Sequence, residues 1–165
     1  MPRSTILIRH GEIVESMEDP PLSQVGREQI EEIVRQIGGI VPSEIIVSSP
    51  SRRTRQSTEI ISGGLDINHI FYYEMLRDYN AQEESFWDMV ERSRAAFRLI
   101  KRLAPNGCIV VTHGGIIQGI VSEIFDVDPS TIDCPRGRGF AITVSNNKVD
   151  RRPIGSITKI AGVGR

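Results

Sequence analysis

Along the chain, short β-branched apolar runs alternate with longer stretches in which apolar residues recur at helical spacing. The runs are TILI (5 to 8), EIIVSS (44 to 49), HIFYYEM (69 to 75), CIVVTH (108 to 113) and GFAITV (139 to 144), with a weaker one at GSITKI (155 to 160). The first helical stretch, Ser23 to Ile37, places Val25, Ile30, Ile33 and Ile37 near one stripe, with Ser23 as N-cap behind the turn Pro20-Pro21. It is expected to close in left-handed geometry at Gly38-Gly39. A second helix is expected from just after Pro50 to about Ile61, ended by Gly63-Gly64. A third should span Glu84 to Leu103 and stop at Ala104-Pro105-Asn106-Gly107, and a fourth should run from Gly115 to Phe125. Strand followed by helix, repeated four times with short turns, predicts an α/β fold in which helices cover both faces of a sheet. Runs such as Ile109-Val110-Val111 agree, because parallel strands in such a sheet are buried on both sides. No repeat, low-complexity stretch or linker breaks the pattern, so residues 1 to 165 are expected to form a single domain.

Composition narrows the function classes. A formal net charge of -1 argues against a non-specific nucleic-acid binder, which needs a basic excess. The longest apolar runs are far short of the roughly 20 residues that span a bilayer. The start MPRSTILI is too soon interrupted by Arg9 and His10 to read as a signal peptide, so a cytoplasmic location is expected. Cys108 and Cys134 match neither a disulfide framework nor a metal pattern, and Cys108 reads as a small buried hydrophobe. Of the 20 basic residues only Lys101, Lys148 and Lys159 are lysine. The rest are arginine, whose planar fork suits phosphate or carboxylate oxygens.

In open α/β sheets ligands bind beyond the carboxyl ends of the strands, and the polar residues gather there. The first strand ends in Arg9-His10-Gly11, the second in Ser48-Ser49-Pro50 before SRRTRQ, and the fourth in Thr112-His113-Gly114. Two of the three histidines thus stand in equivalent positions, each after an apolar strand and before glycine, whereas His69 reads as structural or solvent-facing. Three arginines in the first turns of a helix oppose its dipole, and a bound phosphate accounts for at least one of them. Arg52, Arg53 and Arg55 cannot all point one way, since successive helical residues are about 100° apart. Neither GxxxxGK[ST] nor GxGxxG occurs, and the histidines lack HxH or HExxH spacing, although Glu12 or Asp78 could complete a metal site with them. With no cofactor or metal implied, the charge that stabilises a transferring phosphoryl group must come from the protein, and a histidine nitrogen can act as nucleophile.

RHGE (9 to 12), SSPSRRTRQS (48 to 57) and VVTHGG (110 to 115) together resemble the signature segments of the histidine phosphatase superfamily, the phosphoglycerate mutase-like or RHG family. DPPLSQVGREQ (19 to 29) is similar to its D-x-P-L-T-x-x-G-x-x-Q segment, and EESFWDMVER (83 to 92) to its G-E-S-x-x-D-x-x-x-R segment. The resemblance implies a phosphoglycerate mutase-like, three-layer α/β/α sandwich with a mostly parallel central sheet. It also implies metal-independent hydrolysis of a phosphomonoester through a phosphohistidine. His10 matches the nucleophile, Arg9 and Arg53 the phosphate ligands, and His113 the second histidine, which binds phosphate and stabilises the transition state. Gly11 and Gly114 are expected to let backbone approach the phosphoryl group. The family's acid follows the third strand in a stretch resembling L-x-E, and Leu76-Arg77-Asp78 is the best match here. Glu84, which matches the G-E-S glutamate and reads as a first-turn helix residue, is the second choice. Glu74, on the preceding strand, and Glu83 are further alternatives.

Several departures bear on substrate. Ser16 and Met17 occupy the place of a common asparagine, Gln118 that of a common arginine, and the YNAQ segment (79 to 82) is short. The chain therefore looks like the compact phosphatase branch, acting on a phosphorylated small molecule or a phosphoprotein, with Ser16, Glu84, Arg136 and Arg138 as candidate substrate contacts. Neither nucleic acid nor membrane is an expected partner. The alternatives are mutase-type phosphoryl transfer, which needs a site that shields the phosphoenzyme from water, and a non-catalytic module that binds phospho-ligands.

Overall fold

Strands β1 (Ser4–Arg9), β2 (Ile45–Ser48), β3 (His69–Tyr72), β4 (Ile109–Thr112) and β5 (Phe140–Ser145) form one sheet in the order β3-β2-β4-β1-β5. They are seen in a computed structural model that describes residues 4–15, 18–39, 44–134 and 140–145. All pairings are parallel except that of β5, which runs antiparallel along β1 from Arg9↔Phe140 to Ser4↔Ser145.

Side-chain alternation along the strands sorts the core into two layers. Ile6, Ile8, Ile46, Ile109 and Val111 face α1 (Gln24–Ile37) and α2 (Arg52–Leu65), packing on Ile30, Ile33, Ile37 and Ile61. Leu7, Val47 and Val110 face the other way, onto Val90, Phe97 and Ile100 of α3 (Phe86–Leu103) and Ile116, Ile117 and Ile120 of α4 (Gly114–Phe125). The result is the expected three-layer α/β/α sandwich around a mostly parallel sheet. β1 and β4 are neighbours, yet their chains leave for helices on opposite faces. A crevice therefore opens at their carboxyl ends, which is where doubly wound sheets place ligands.

Several local expectations are corrected. Val25 is about half exposed and Gly26 takes its place in the buried stripe, because residue 26 lies four before Ile30 whereas 25 lies five before it. α1 ends at Gly38 with right-handed backbone (φ -54) and an N–H to Val34 O bond, so the glycine pair is not used for left-handed closure. α2 runs straight through Gly63-Gly64 and closes at Asp66, which adopts φ 54 itself. Gly64 serves packing: a Cβ there would meet Val34 Cγ1 at 2.5 Å, so it brings α2 close to α1. β3 stops at Tyr72, and Glu74 opens a 3-10 turn, Glu74–Leu76, in place of continuing the strand. α3 begins at Phe86, capped by Ser85 in a capping box with Asp88, which leaves Glu84 outside the first turn. The expected strand at 155 to 160 lies outside the described residues.

Candidate active site

The RHGE segment leaves β1 and is pinned against the start of α1 by backbone and side-chain bonds. Gly11 and Gly26 pass so closely that a Cβ on Gly11 would stand 2.2 Å from Gly26 O, and one on Gly26 would stand 2.1 Å from Glu12 O. Glu12 N–H donates to Gln29 Oε1 (2.9 Å), Ser23 N–H donates to Glu12 O (2.9 Å), and Ser23 Oγ donates to Glu12 Oε1 (2.7 Å). Ser23 Oγ also accepts from Gly26 N–H as the N-cap of α1. Leu22 N–H donates to Gln56 Oε1 of α2 (2.7 Å). The PLSQVGREQ stretch is thus the scaffold on which the histidine loop is set. Gly11 is demanded by its close approach to Gly26 of α1, a packing role that the sequence expectation did not include, and it also lines the crevice. Gly114 is tight against Arg9, whose Nη1 would lie 3.1 Å from an added Cβ.

His10, at the end of β1, is 7% exposed and faces His113, at the end of β4, with ring centroids 5.3 Å apart. Arg53 Nε lies 3.3 Å from His10 Nε2 and can only donate. Nε2 must therefore be the acceptor, so the ring proton sits on Nδ1 and goes to Gly11 O (2.7 Å). The pair of bonds fixes one tautomer and aims an unprotonated nitrogen into the crevice. Burial lowers the His10 pKa from 6.5 to about 4, and Arg53 and Arg9 act in the same direction. The ring is neutral at physiological pH.

His113 is 1% exposed, and burial first, with Arg53 assisting, takes its pKa down to about 3. Its Nε2 is bonded to Ser49 Oγ (2.8 Å), while its buried Nδ1 has no hydrogen-bond partner among the described residues and lies 3.4 Å from Asp78 Oδ2. An anion in the crevice would select the Nδ1–H tautomer, with the Ser49 hydroxyl donating to Nε2.

Arg53, on the first turn of α2, reaches His10 through Nε and Asp78 through Nη2 (2.6 Å), with Asp19 3.6 Å from Nη1. Asp19 also accepts from the Arg52 N–H at 3.0 and 3.1 Å and so holds the start of α2. Arg55 turns away, its guanidinium 3.9 Å above the Tyr72 ring, and Arg52 is exposed, as helix geometry requires. Arg9 extends from β1 and donates from Nη1 to Cys134 O (2.6 Å). Burial pushes the Cys134 and Cys108 thiols up to about 12, so neither is a nucleophile at neutral pH.

Of the candidate acids only Asp78 enters the crevice. Burial would raise its carboxyl, but His113, Arg53 and the Tyr79 N–H outweigh this and hold it below the usual carboxylate range. Glu84 is instead clamped by Arg77 Nη1 (2.9 Å) and by Arg92, whose Nη1 also donates to the Met75 and Arg77 carbonyls (2.7 and 3.0 Å). It holds the loop that carries Asp78 and does not line the crevice, which corrects its reading as an acid or substrate contact. Glu74 is exposed and also does not line it, and Glu83 is exposed beside Arg77. Ser16, Arg136 and Arg138 lie outside the described residues.

The crevice is a cavity of about 800 Å³ lined by Arg9, His10, Arg53, Asp78, His113 and Gly114, and further out by Glu12, Glu15, Glu18, Tyr79 and Phe86. Sequence reasoning assigned no role to Ser49, Asp19 or the outer wall. Ser49 carried the available signal: a polar residue at the end of β2, beside the strand that ends in His113. Among the described residues no group of three or more His, Cys, Asp or Glu side chains could hold a metal ion, and no helix is long and apolar enough to cross a membrane.

Comparison with solved structures places the fold beside known phosphatases. A mycobacterial glucosyl-3-phosphoglycerate phosphatase superposes with a TM-score of 0.68 at 18% identity, covering 87% of this chain and 91% of that one. The phosphoserine phosphatase of Entamoeba histolytica, solved with 3-phosphoglyceric acid, gives 0.68 at 17%, covering 87% and 95%. A protein described as mycobacterial hydrolase 1 gives 0.70 at 17%, covering 87% and 92%. No curated protein matches the sequence. The family model described as histidine phosphatase superfamily (branch 1) matches residues 5–81 and 72–152. With the RHG segment, the paired histidines and the sandwich in place, the chain belongs to branch 1 of the histidine phosphatase superfamily.

Proposed function

We propose that the protein is a phosphomonoester hydrolase that works through a phosphohistidine on His10, without a metal, on a phosphorylated small molecule or phosphoprotein. The observation that carries this is the His10 tautomer: Nδ1–H is held by Gly11 O, and the Nε2 lone pair faces the space shared by Arg53 and His113. Family membership supports phosphohistidine chemistry in general, and the roles of individual residues are inferred from geometry.

In the first step His10 Nε2 forms a bond to phosphorus as the bond to the leaving oxygen breaks. Arg9, Arg53 and His113 Nδ1–H stabilise the equatorial oxygens. Asp78 protonates the leaving oxygen. Its carboxyl is ionised beside Arg53, but a phosphoryl dianion draws Arg53 away and adds a like charge, and both changes raise its pKa. In the second step water attacks phosphorus, Asp78 takes a proton from it, and the bond from phosphorus to nitrogen breaks to release phosphate and free His10.

Turnover of p-nitrophenyl phosphate in the presence of EDTA tests the reading. Full rate with chelator and a loss of at least about a thousandfold in His10→Ala are expected; a metal requirement, or an active His10→Ala, would refute it. Asp78→Asn should slow alkyl phosphates far more than aryl phosphates, whose leaving groups need no proton. A second reading, a non-catalytic phospho-ligand module, is favoured by the ionised state of Asp78. It predicts tight binding with turnover no faster than that of His10→Ala.

A further inference from the structure

The outer part of the cavity carries charge opposite to its floor. Among the described residues that line it, Arg9 and Arg53 are the only cations, and both stand on the floor beside the histidines. Four carboxylates line the same space: Asp78 on the floor, and Glu12, Glu15 and Glu18 on the connection from β1 to α1. Glu15 and Glu18 are exposed, whereas Glu12 is half-buried and accepts from Ser23 Oγ. Tyr79 and Phe86 line the same cavity, perpendicular rings with centroids 6.5 Å apart, and aromatic faces attract cations. The floor also holds the buried His113 Nδ1, which has no hydrogen-bond partner among the described residues and lies 3.4 Å from Asp78 Oδ2. A ligand that fits both ends is negative at one and positive at the other.

We propose that the substrate is a phosphomonoester whose leaving group carries a cationic amine or ammonium. Its phosphoryl group sits on the floor, and its cation lies between Glu15, Glu18 and the rings of Tyr79 and Phe86. The proposal rests on the hydrolase reading above and adds the substrate class to it. A second anionic group on the substrate, such as a carboxylate, would face three glutamates and be rejected by like-charge repulsion. An exposed ammonium–carboxylate pair is worth up to about fivefold in affinity, and two pairs of about threefold each multiply to a preference of roughly tenfold.

Three esters of similar size separate the cases: phosphoethanolamine, propyl phosphate and 3-phosphopropionate. The expected order of kcat/KM is cation, then neutral, then anion. The ratio of the first to the second should be about tenfold at low salt and shrink in 0.5 M NaCl as screening sets in. In Glu15→Gln/Glu18→Gln the ratio should fall towards one. Equal or reversed order in the wild-type protein overturns the proposal, as does a ratio that the double variant leaves intact. Arg136 and Arg138 would favour the reversed order if they met a second anion. The salt response of the wild-type protein decides the matter if the double variant fails to fold. Calorimetric Kd values of the same esters on His10→Ala read the charge preference without turnover. If p-nitrophenyl phosphate is not hydrolysed while that preference holds, the hydrolase reading fails and the charge assignment stands.

Discussion

Gly26→Ala probes how the catalytic loop is held, at a position that touches no candidate catalytic group. The new Cβ would stand 2.1 Å from Glu12 O and 2.8 Å from Glu12 N, whereas ordinary contact begins near 3.4 Å. The two backbones must therefore part by about 1.3 Å, and no side-chain rotation can relieve the contact because both partners are main chain. Alanine favours a helix by about 1 kcal/mol over glycine, while overpacking of this kind costs about 1–3 kcal/mol. A net loss near 1 kcal/mol would lower a urea midpoint by about 0.5 M for a typical slope of about 2 kcal/mol per M. Because Gly11 directly follows His10, a displacement of about 1 Å also carries the nucleophile, and misplacement on that scale costs on the order of a hundredfold in rate. Gly63→Ala is the control: it lies within α2 with nothing inside 4 Å of its added Cβ. It should be neutral or stabilising by up to about 1 kcal/mol, with full activity. Urea unfolding and aryl phosphate turnover on the two variants suffice. If Gly26→Ala proved as stable and as active as Gly63→Ala, the loop would not be positioned by the Gly11–Gly26 contact.

Nitrogen-15 NMR of the His10 ring should show Nδ1 protonated and Nε2 free down to about pH 4. The unfolded chain takes up this proton near 6.5 and the folded one only near 4, so stability falls as pH drops through that window, by about 3 kcal/mol in all for this group. A ring that titrates near 6.5, or an Nε2–H tautomer, would contradict the site as described. Ser49→Ala removes the hydroxyl that orients His113 and leaves a buried ring nitrogen unbonded. It should cost about 1–3 kcal/mol of stability and roughly tenfold in kcat/KM; unchanged kinetics would count against the His113 assignment. Arg92→Ala orphans part of the Glu84 clamp and should destabilise by about 3 kcal/mol. Arg92→Ala/Glu84→Gln should recover some of that loss, and equal stability of the two would show that the pair is not coupled.

How much could be read from the sequence follows from the kind of interaction involved. The sheet and its helices were legible because alternation and helical spacing report burial directly, as Ile6, Leu7 and Ile8 show by dividing between the two layers. Arg9, His10, Arg53 and His113 were legible because strand ends and helix starts occur at fixed places in the chain, and these four residues do converge. Glycine was misread as a left-handed helix closure at Gly38-Gly39 and as a helix end at Gly63-Gly64, and its packing role was missed at three places. Gly11, Gly26 and Gly64 answer to neighbours far away in sequence, and local signals for turns and helix ends cannot register a close approach between backbones. Glu84 was misplaced because its partner Arg92 comes from α3, eight residues on. The choice between Asp78 and Glu84 needed the third dimension. The outer wall was invisible for the same reason, since Glu15 and Glu18 on the β1–α1 connection meet Tyr79 and Phe86, before and at the start of α3, only in the fold.

The central claim is that His10 Nε2 attacks phosphorus. Rapid mixing of the protein with p-nitrophenyl phosphate, an alkaline quench and peptide mapping should recover a phosphoryl group on His10 that is stable in alkali, labile in acid and absent from His10→Ala. A preparation that turns over the ester at full rate yet carries no phosphate on His10 at any mixing time, with Asp78→Asn used to slow breakdown of the intermediate, would contradict it.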